Sequence, residues 1–253
     1  MMLPTDMRRL NANQLKLIAV FAMTADHIAW LLFPGYSREP VAILLHVIGR
    51  LTCPIMCYFI AEGYHYTHSV RRYAARLFAF AFLSHFAYIF ASGDYVDARS
   101  FIPFYYGSVF NQTGVMWSLA WGLVLLCIND AKRLRTGVKV FLVLAVCLVA
   151  FPADWSCIAS LCVLSIGANR GNAGKQIAWC MFYAAIYAAV YALALDLLYG
   201  LLQLCVVLSV PLIGLYNGRR GASPRLNRIM KWGFYIYYPL HLLIIGILRE
   251  FVF

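Results

Sequence analysis

Several ionisable side chains lie inside long apolar stretches of this chain, where little water is available to solvate a charge. Asp26 and His27 interrupt the first stretch, His46 and Arg50 the second, and His241 the last. Charged residues within membrane helices are rare and usually mark a functional site. Imidazole titrates near neutrality, so a histidine at this depth suits a general base that deprotonates a hydroxyl or an amine.

The helical rise of about 1.5 Å per residue predicts that most of these side chains share one level. Asp26 and His27 lie about 16 to 18 Å into the first predicted helix, and Arg50 lies about 14 Å into the second. By the same rise, His85 lies about 18 Å into the third helix and His241 about 12 Å into the last. In a hydrocarbon core about 30 Å thick, these residues form a polar layer near the midplane.

Two spacings limit how this layer can work. His46 and Arg50 are four residues apart, so both project from one helix face. Asp26 and His27 are neighbours that point about 100° apart, so Asp26 cannot lie directly behind His27 and is expected to tune or position it indirectly. An alternative is a purely structural role, in which Asp26 and Arg50 form a buried ion pair between two helices and the histidines bond to backbone carbonyls.

A second polar group follows the second apolar stretch. Glu62 ends that stretch, and Arg71, Arg72 and Arg76 follow it 9 to 14 residues later, within about one turn of each other. Guanidinium groups bind carboxylates and phosphates through two parallel hydrogen bonds, so we predict that this group contacts an anionic substrate. The alternative for each arginine is simple anchoring of a helix end at the cytoplasmic surface.

Motifs for several common chemistries are absent from the sequence. It contains no HExxH, no GxSxG and no P-loop pattern, which leaves metal hydrolysis, serine hydrolysis and nucleotide-driven transport without support. Glu62, His65 and His68 could be interpreted as a metal site, but a solvated turn at the membrane surface is the favoured interpretation. We therefore predict no metal.

The elements that carry these residues are predicted to be membrane helices. Of 253 residues, 63% are hydrophobic and only 12% are charged, which excludes a water-soluble fold. We predict an all-α polytopic membrane protein with about nine transmembrane helices, forming a single domain over 1–253. The predicted spans are 15–33, 41–61, 73–91, 109–128, 138–151, 155–168, 177–195, 197–215 and 233–250. The fifth and sixth are short, and they could form a hairpin that does not fully cross the bilayer.

The distribution of basic residues predicts the orientation. A formal net charge of +11 would suggest nucleic acid in a soluble chain, but here most of the 21 basic residues fall on one side of the predicted spans. Only Arg38, Arg99 and Arg249 fall on the other side. The positive-inside rule therefore predicts a cytoplasmic N-terminus and an external C-terminus, with no nucleic-acid partner.

Three blocks of sequence resemble the TraX family, which is named after the F-pilin acetylase of conjugative plasmids. The first block runs from Leu15 through Asp26-His27-Ile28 to Phe33-Pro34. The second contains Ile48-Gly49-Arg50-Leu51, Pro54, Glu62-Gly63, Thr67, Tyr73 and Arg76-Leu77. The third is Tyr235-Ile236-Tyr237-Tyr238-Pro239-Leu240-His241-Leu242. Two positions depart from the family pattern: Ala29 stands where glycine is common, and Ser84-His85-Phe86 stands where an acid and a proline are common.

The resemblance implies acetyl transfer from acetyl-CoA in a bacterial inner membrane. The family is also similar to the broader membrane acyltransferases, which implies His27 as the catalytic base, Asp26 as its companion, and Arg50, His46 and His241 as substrate ligands. Glu62, Arg71, Arg72 and Arg76 would then contact the donor, because cationic groups at a membrane surface concentrate and hold the phosphates of CoA. The acceptor, a protein or a glycan, is not implied.

A different class of function fits the same polar layer. Asp26, His27 and Arg50 could relay protons in a proton-coupled transporter or flippase. Transporters of this kind often contain internal repeats with broken helices in matching halves, and the sequence shows no convincing repeat. A membrane acetyltransferase is therefore the favoured interpretation.

Overall fold

The computed structural model describes residues 9–93, 95–105 and 111–252. Within these ranges the regular structure is helical, and the only β pairing consists of isolated bridges. The helices are α1 (Ala12–Leu32), α2 (Pro40–Gly49), α3 (Thr52–Tyr66), α4 (Val70–Ser92), α5 (Val115–Asp130), α6 (Thr136–Ala150), α7 (Ser156–Ala168), α8 (Ala173–Ala194), α9 (Leu197–Leu202), α10 (Ser209–Gly214) and α11 (Pro224–Phe251). Short 3-10 helices cover Ala98–Phe101 and Gln203–Leu208. The predicted all-α fold is confirmed.

In the part of the chain that the structure describes, six helical segments are long and apolar enough to cross a membrane: Ala12–Leu32, Pro40–Tyr66, Val70–Ser92, Ala173–Ala194, Leu197–Gly214 and Pro224–Phe251. The chain is an integral membrane protein. Three further apolar helices, α5, α6 and α7, have only 16, 15 and 13 residues. Nine apolar segments therefore occur in the described ranges, although the start of the predicted span 109–128 lies outside them. The count of nine full crossings and the orientation remain predictions.

The second segment is broken where the sequence predicted one continuous helix. α2 ends at Gly49, Arg50 and Leu51 form a turn, and α3 begins at Thr52. Pro54 explains the break, because it has no N–H to donate to the carbonyl of Arg50, four residues earlier. The break leaves Arg50 at the end of α2, where its guanidinium can turn toward α1.

The chain divides into two compact units, each built from two stretches of sequence. Unit 1 comprises Met1–Met56 and Gly171–Tyr237, and unit 2 comprises Cys57–Arg170 and Tyr238–Phe253.

In unit 1, helices α1 and α2 pack closely through small residues. Ala19, Ala22 and Ala29 of α1 and Ala42 of α2 are fully or almost fully buried. Small side chains let helix backbones approach in a membrane, where dispersion contacts replace the hydrophobic effect as the main attraction. The Thr52 hydroxyl adds a hydrogen bond to the carbonyl of Ala19 at 3.2 Å.

The start of α1 is held by a later part of the chain. Asn11 caps the helix through a capping box with Gln14. The backbone N–H of Leu10 donates to the carbonyl of Leu215 at 3.0 Å, and the backbone N–H of Ala12 donates to the carbonyl of Arg219 at 2.9 Å. Asn13 donates to Asn227 of α11 at 2.8 Å. These bonds fix the end of α1 that the sequence places at the cytoplasmic surface.

In unit 2, α5 and α7 form the closest pair. Ser160 donates to the carbonyl of Ser118 at 2.6 Å, and Ser118 donates to the carbonyl of Ser156 at 2.5 Å. Gly122 faces Val163 so closely that any added Cβ would overlap the valine side chain. The small and hydroxyl-bearing residues of these helices therefore serve packing, which is an ordinary use of such residues in membrane proteins.

Candidate functional site

The Asp26 carboxylate is the centre of a polar cluster in unit 1. Arg50 reaches it with one nitrogen, Nη2, which donates to both carboxylate oxygens at 2.7 and 2.8 Å. The Nδ1 of His46 lies 2.9 Å from Asp26 Oδ1 and donates to it. Asp26 comes from α1, His46 from α2 and Arg50 from the turn after α2, so the cluster joins the first two membrane segments. The ion pair between Asp26 and Arg50 that the sequence analysis considered as a structural alternative is present in the fold.

Arg50 also donates hydrogen bonds to groups other than the Asp26 carboxylate. Its Nη1 donates to Gln203 Oε1 at 2.6 Å, and its Nε donates to the carbonyl of His46 at 3.2 Å. The Gln203 amide in turn donates to the carbonyl of Tyr199 at 3.1 Å. We call Asp26, His46, Arg50 and Gln203 the buried polar cluster. Its hydrogen bonds offset much of the cost of removing these groups from water.

Sequence reasoning missed Gln203. It lies in the 3-10 helix Gln203–Leu208 and is 3% exposed. One signal was available, since Gln203 is a polar residue in the otherwise apolar run 197–208, and polar side chains inside membrane segments usually have a polar partner. The identity of that partner depends on tertiary contact across 153 residues of sequence.

Gly49 makes the close approach of α1 and α2 possible. A Cβ atom at this position would overlap the Cβ, Cγ and Oδ1 atoms of Asp26. The residue directly before Arg50 must therefore be glycine if Asp26 is to reach both His46 and Arg50. Glycine serves here to bring two helices together, since its backbone is in an ordinary helical conformation.

Aromatic rings surround His46. The Trp30 ring lies 4.7 Å from the imidazole and the Tyr199 ring 5.1 Å from it, between ring centroids. Tyr36 contacts Tyr199 at 5.0 Å and Tyr191 at 6.2 Å. His46 itself is 1% exposed. The imidazole is thus held in one orientation by the carboxylate on one side and by aromatic packing on the others.

His27 follows Asp26 on α1 and is half-buried. Neighbours on a helix point about 100° apart, so the Asp26 carboxylate cannot lie directly behind the His27 ring. The carboxylate–imidazole contact of the buried polar cluster is the one between Asp26 and His46, at 2.9 Å.

The remaining predicted site residues belong to unit 2. Glu62 pairs with Arg170, whose Nε lies 3.2 Å from Glu62 Oε1, and Arg170 also donates to the Tyr66 hydroxyl at 2.9 Å. The sequence analysis did not predict this ion pair. His241, on α11, is 5% exposed and contacts the ring of Tyr238.

The three arginines of α4 differ in their surroundings. Arg71 and Arg72 are exposed, whereas Arg76 is half-buried and lies over the Tyr73 ring at 5.8 Å. The Nε of Arg76 is buried without a hydrogen-bond partner among the residues that the structure describes. Gly63 leaves room for the Tyr73 hydroxyl, which any Cβ there would meet at 2.7 Å. Of the three, Arg76 is the one held in place.

His85, whose role the sequence left open, is a buried residue of α4. Its Nε2 lies 3.2 Å from the carbonyl of Phe101 and donates to it. Among the described residues, no group of three or more His, Cys, Asp or Glu side chains is arranged to hold a metal ion.

The fold and the cluster define an all-helical integral membrane protein with a charged hydrogen-bond network between its first two membrane segments. A sequence profile described as "TraX protein" matches residues 11–249, so the chain belongs to the TraX family. This confirms the resemblance seen in the three sequence blocks. The chain is also similar to the "Probable fimbrial assembly protein FimC, serogroup H1" of Dichelobacter nodosus, with 28% identity over 96% of this chain and 97% of that protein. No solved structure matches the chain significantly.

Proposed function

We propose that this protein is an integral membrane acetyltransferase that transfers the acetyl group of cytosolic acetyl-CoA to an amine or hydroxyl acceptor. The buried polar cluster is the observation that carries the proposal. An isolated charge at the centre of a membrane helix opposes insertion by roughly 2.5 to 3.5 kcal/mol, and apolar packing could join α1 and α2 without this cost. A carboxylate that orients an imidazole, as Asp26 orients His46, is in contrast a recurring arrangement where a proton is transferred at a reacting group.

Family membership and the named relative support the choice of reaction and acceptor. The TraX resemblance implies acetyl-CoA as co-substrate, and the relative's name associates it with fimbrial assembly. We therefore propose a fimbrial or pilin-like protein terminus as the acceptor, with an envelope glycan as the second option. The proposed location is the bacterial inner membrane.

In the proposed reaction, His27 acts as the general base, as the resemblance implies. It removes a proton from the attacking nitrogen or oxygen, which bonds to the thioester carbonyl carbon while the C–S bond breaks. The proton then passes to the CoA thiolate. Arg71, Arg72 and Arg76 are the proposed ligands of the CoA phosphates, with Arg76 the best positioned because its guanidinium is fixed against Tyr73.

The direct test is release of free CoA from acetyl-CoA by the purified protein in nanodiscs, with and without an acceptor peptide. We expect acceptor-dependent thiol release, and we expect His27→Ala to lower its rate by about 10² to 10⁴, the usual contribution of a general base. His65→Ala is the matched control, because His65 is an exposed histidine at the end of α3.

Two results would contradict the proposal. A His27→Ala variant that keeps more than about a third of the activity would remove His27 from the base role. Wild-type protein that releases no CoA but carries protons across sealed vesicles would instead support the proton-coupled transporter or flippase, in which Asp26, His27 and Arg50 relay protons.

A further inference from the structure

The two nitrogens of His46 are in different situations. Nδ1 donates to Asp26 at 2.9 Å, whereas Nε2 is buried and has no hydrogen-bond partner in the described part of the chain. Buried polar side-chain atoms in folded proteins are nearly always paired, so an unpaired one calls for a functional explanation. The side chain is 1% exposed, so solvent at the protein surface does not supply the missing partner.

The groups around His46 determine which nitrogen can take a proton. Asp26 on α1 accepts the Nδ1 proton, so in neutral His46 the lone pair is on Nε2. Arg50 holds the Asp26 carboxylate through both oxygens. The phenol ring of Tyr199, on α9, packs against the imidazole with 5.1 Å between ring centroids. The uncharged indole ring of Trp30, on α1, packs against it as well. A carboxylate on Nδ1 with an open Nε2 is the arrangement that stabilises an imidazolium after proton uptake.

We propose that His46 is a second catalytic residue, which takes at Nε2 the proton that an ammonium group must lose before it can attack the thioester. This inference rests on the proposed acetyl transfer. A protonated amine has no lone pair, and forming an amide from it removes two protons from the nitrogen. A hydroxyl has only one proton to lose, so one base suffices there.

The proton balance assigns one step to each histidine. His46 removes the first proton, which leaves a neutral amine. The nitrogen lone pair then bonds to the carbonyl carbon, and the C–S electrons leave with sulfur. His27 takes the second proton and passes it to the thiolate, giving CoA and the amide. His46 returns the first proton to water, so one proton is released per acetyl group transferred. Asp26 acts in this scheme as a positioning residue for His46.

The test compares His46→Asn with the wild-type protein in nanodiscs, using acetyl-CoA and a peptide with a free N-terminal amine. The asparagine amide can replace Nδ1 as a donor to Asp26 but has no counterpart of Nε2. The variant must then use the fraction of acceptor that is already neutral in solution. We expect its rate, relative to wild type, to fall about tenfold for each pH unit below the acceptor pKa of roughly 8, and to approach the wild-type rate above pH 9.

A matched control separates this role from general damage. In His85→Gln, in unit 2, the glutamine amide can replace Nε2 as the donor to the carbonyl of Phe101, but it has no counterpart of Nδ1. It should show the wild-type pH dependence. The thermal unfolding midpoint of each variant reports whether the fold is retained.

Each outcome decides between the two proposals. A His46→Asn variant with wild-type activity at every pH, or with the same loss at every pH, overturns the role of His46 while the acetyltransferase proposal stands. Wild-type protein that transfers no acetyl group overturns the acetyltransferase proposal, and the role of His46 with it. If His46→Asn unfolds, the same pH series on Asp26→Asn replaces it, since this change removes the carboxylate that orients His46.

Discussion

At the scale of single residues, Arg50 shows why the buried polar cluster needs a guanidinium. It contacts both oxygens of Asp26, the side chain of Gln203 and the carbonyl of His46. In Arg50→Lys, the single ammonium group keeps the positive charge but cannot donate to partners that lie in these separate directions. We expect this variant to lose at least about tenfold in acetyl transfer, measured by thiol release, because several charge-assisted bonds are removed.

Arg38→Lys is the control for that change. Arg38 also pairs with an aspartate, Asp196 at 2.6 Å, but its side chain is 58% exposed, so the pair contributes little. A double-mutant cycle with Asp26→Asn and Arg50→Lys should show coupling of about 0.5 to 3 kcal/mol in unfolding free energy. Full activity of Arg50→Lys, together with this coupling, would favour the purely structural ion pair considered in the sequence analysis.

The sequence predicted most members of the cluster but not how they pair. Charges inside apolar runs identified Asp26, His46 and Arg50, and the spacing of four residues placed the last two on one face. The contact between Asp26 and His46 could not be predicted, because it depends on how α2 packs on α1. Gln203 was missed for the same reason, since its partner is 153 residues away.

At the scale of elements, the α1–α2 contact depends on Gly49. Gly49→Ala places a methyl group on the Asp26 side chain, so the two helices must separate and the bond from His46 to Asp26 must lengthen. We expect a loss of about 1 to 3 kcal/mol in the free energy of unfolding, the usual cost of overpacking. Thermal unfolding in detergent, followed by tryptophan fluorescence, would measure it.

Gly233→Ala is the matched control within the same unit. A Cβ atom at Gly233, on α11, would meet no atom within 4 Å, so this change should not destabilise the protein and should add up to about 1 kcal/mol, because alanine favours a helix more than glycine does. Equal effects of the two substitutions would show that α1 and α2 do not require their close approach.

Most of the elements could be predicted, but the span predicted at 197–215 consists of α9, a 3-10 helix and α10, and the second span is broken. Apolar runs indicated the helices, because a helix that is apolar over about 20 residues has few other stable environments. The break at Arg50 and Leu51 was missed, although Pro54 is a visible signal, since the run 41–61 is apolar on both sides of it. Hydropathy reports the environment of a segment and carries little information about a turn inside it.

At the scale of the whole molecule, the charge distribution predicts the side from which the donor enters. Replacing Arg71, Arg72 and Arg76 simultaneously with glutamine should raise the KM for acetyl-CoA more than it lowers kcat. The reason is that these contacts act on the phosphates, far from the reacting carbon. Steady-state kinetics with acetyl-CoA added to sealed vesicles of known orientation would measure both effects.

Replacing Lys132, Arg133 and Arg135 with glutamine provides the control, because it removes the same charge from the turn between α5 and α6. Its KM should stay close to that of the wild type. If acetyl transfer occurs only when acetyl-CoA is added on the side of Arg38 and Arg99, both the predicted orientation and the proposed donor site are wrong.

The division of unit 1 into two distant stretches has a consequence for biosynthesis. Asp26 and Arg50 emerge from the ribosome only 24 residues apart, whereas Gln203 follows Arg50 by 153 residues. At about 5 to 20 residues per second, roughly 8 to 30 seconds separate the synthesis of Arg50 from that of its amide partner. During that interval the guanidinium already has its carboxylate, so the first two membrane segments can leave the translocon as a hairpin whose central charges cancel. The ion pair thus allows an early step of insertion, and Gln203 completes the network afterwards.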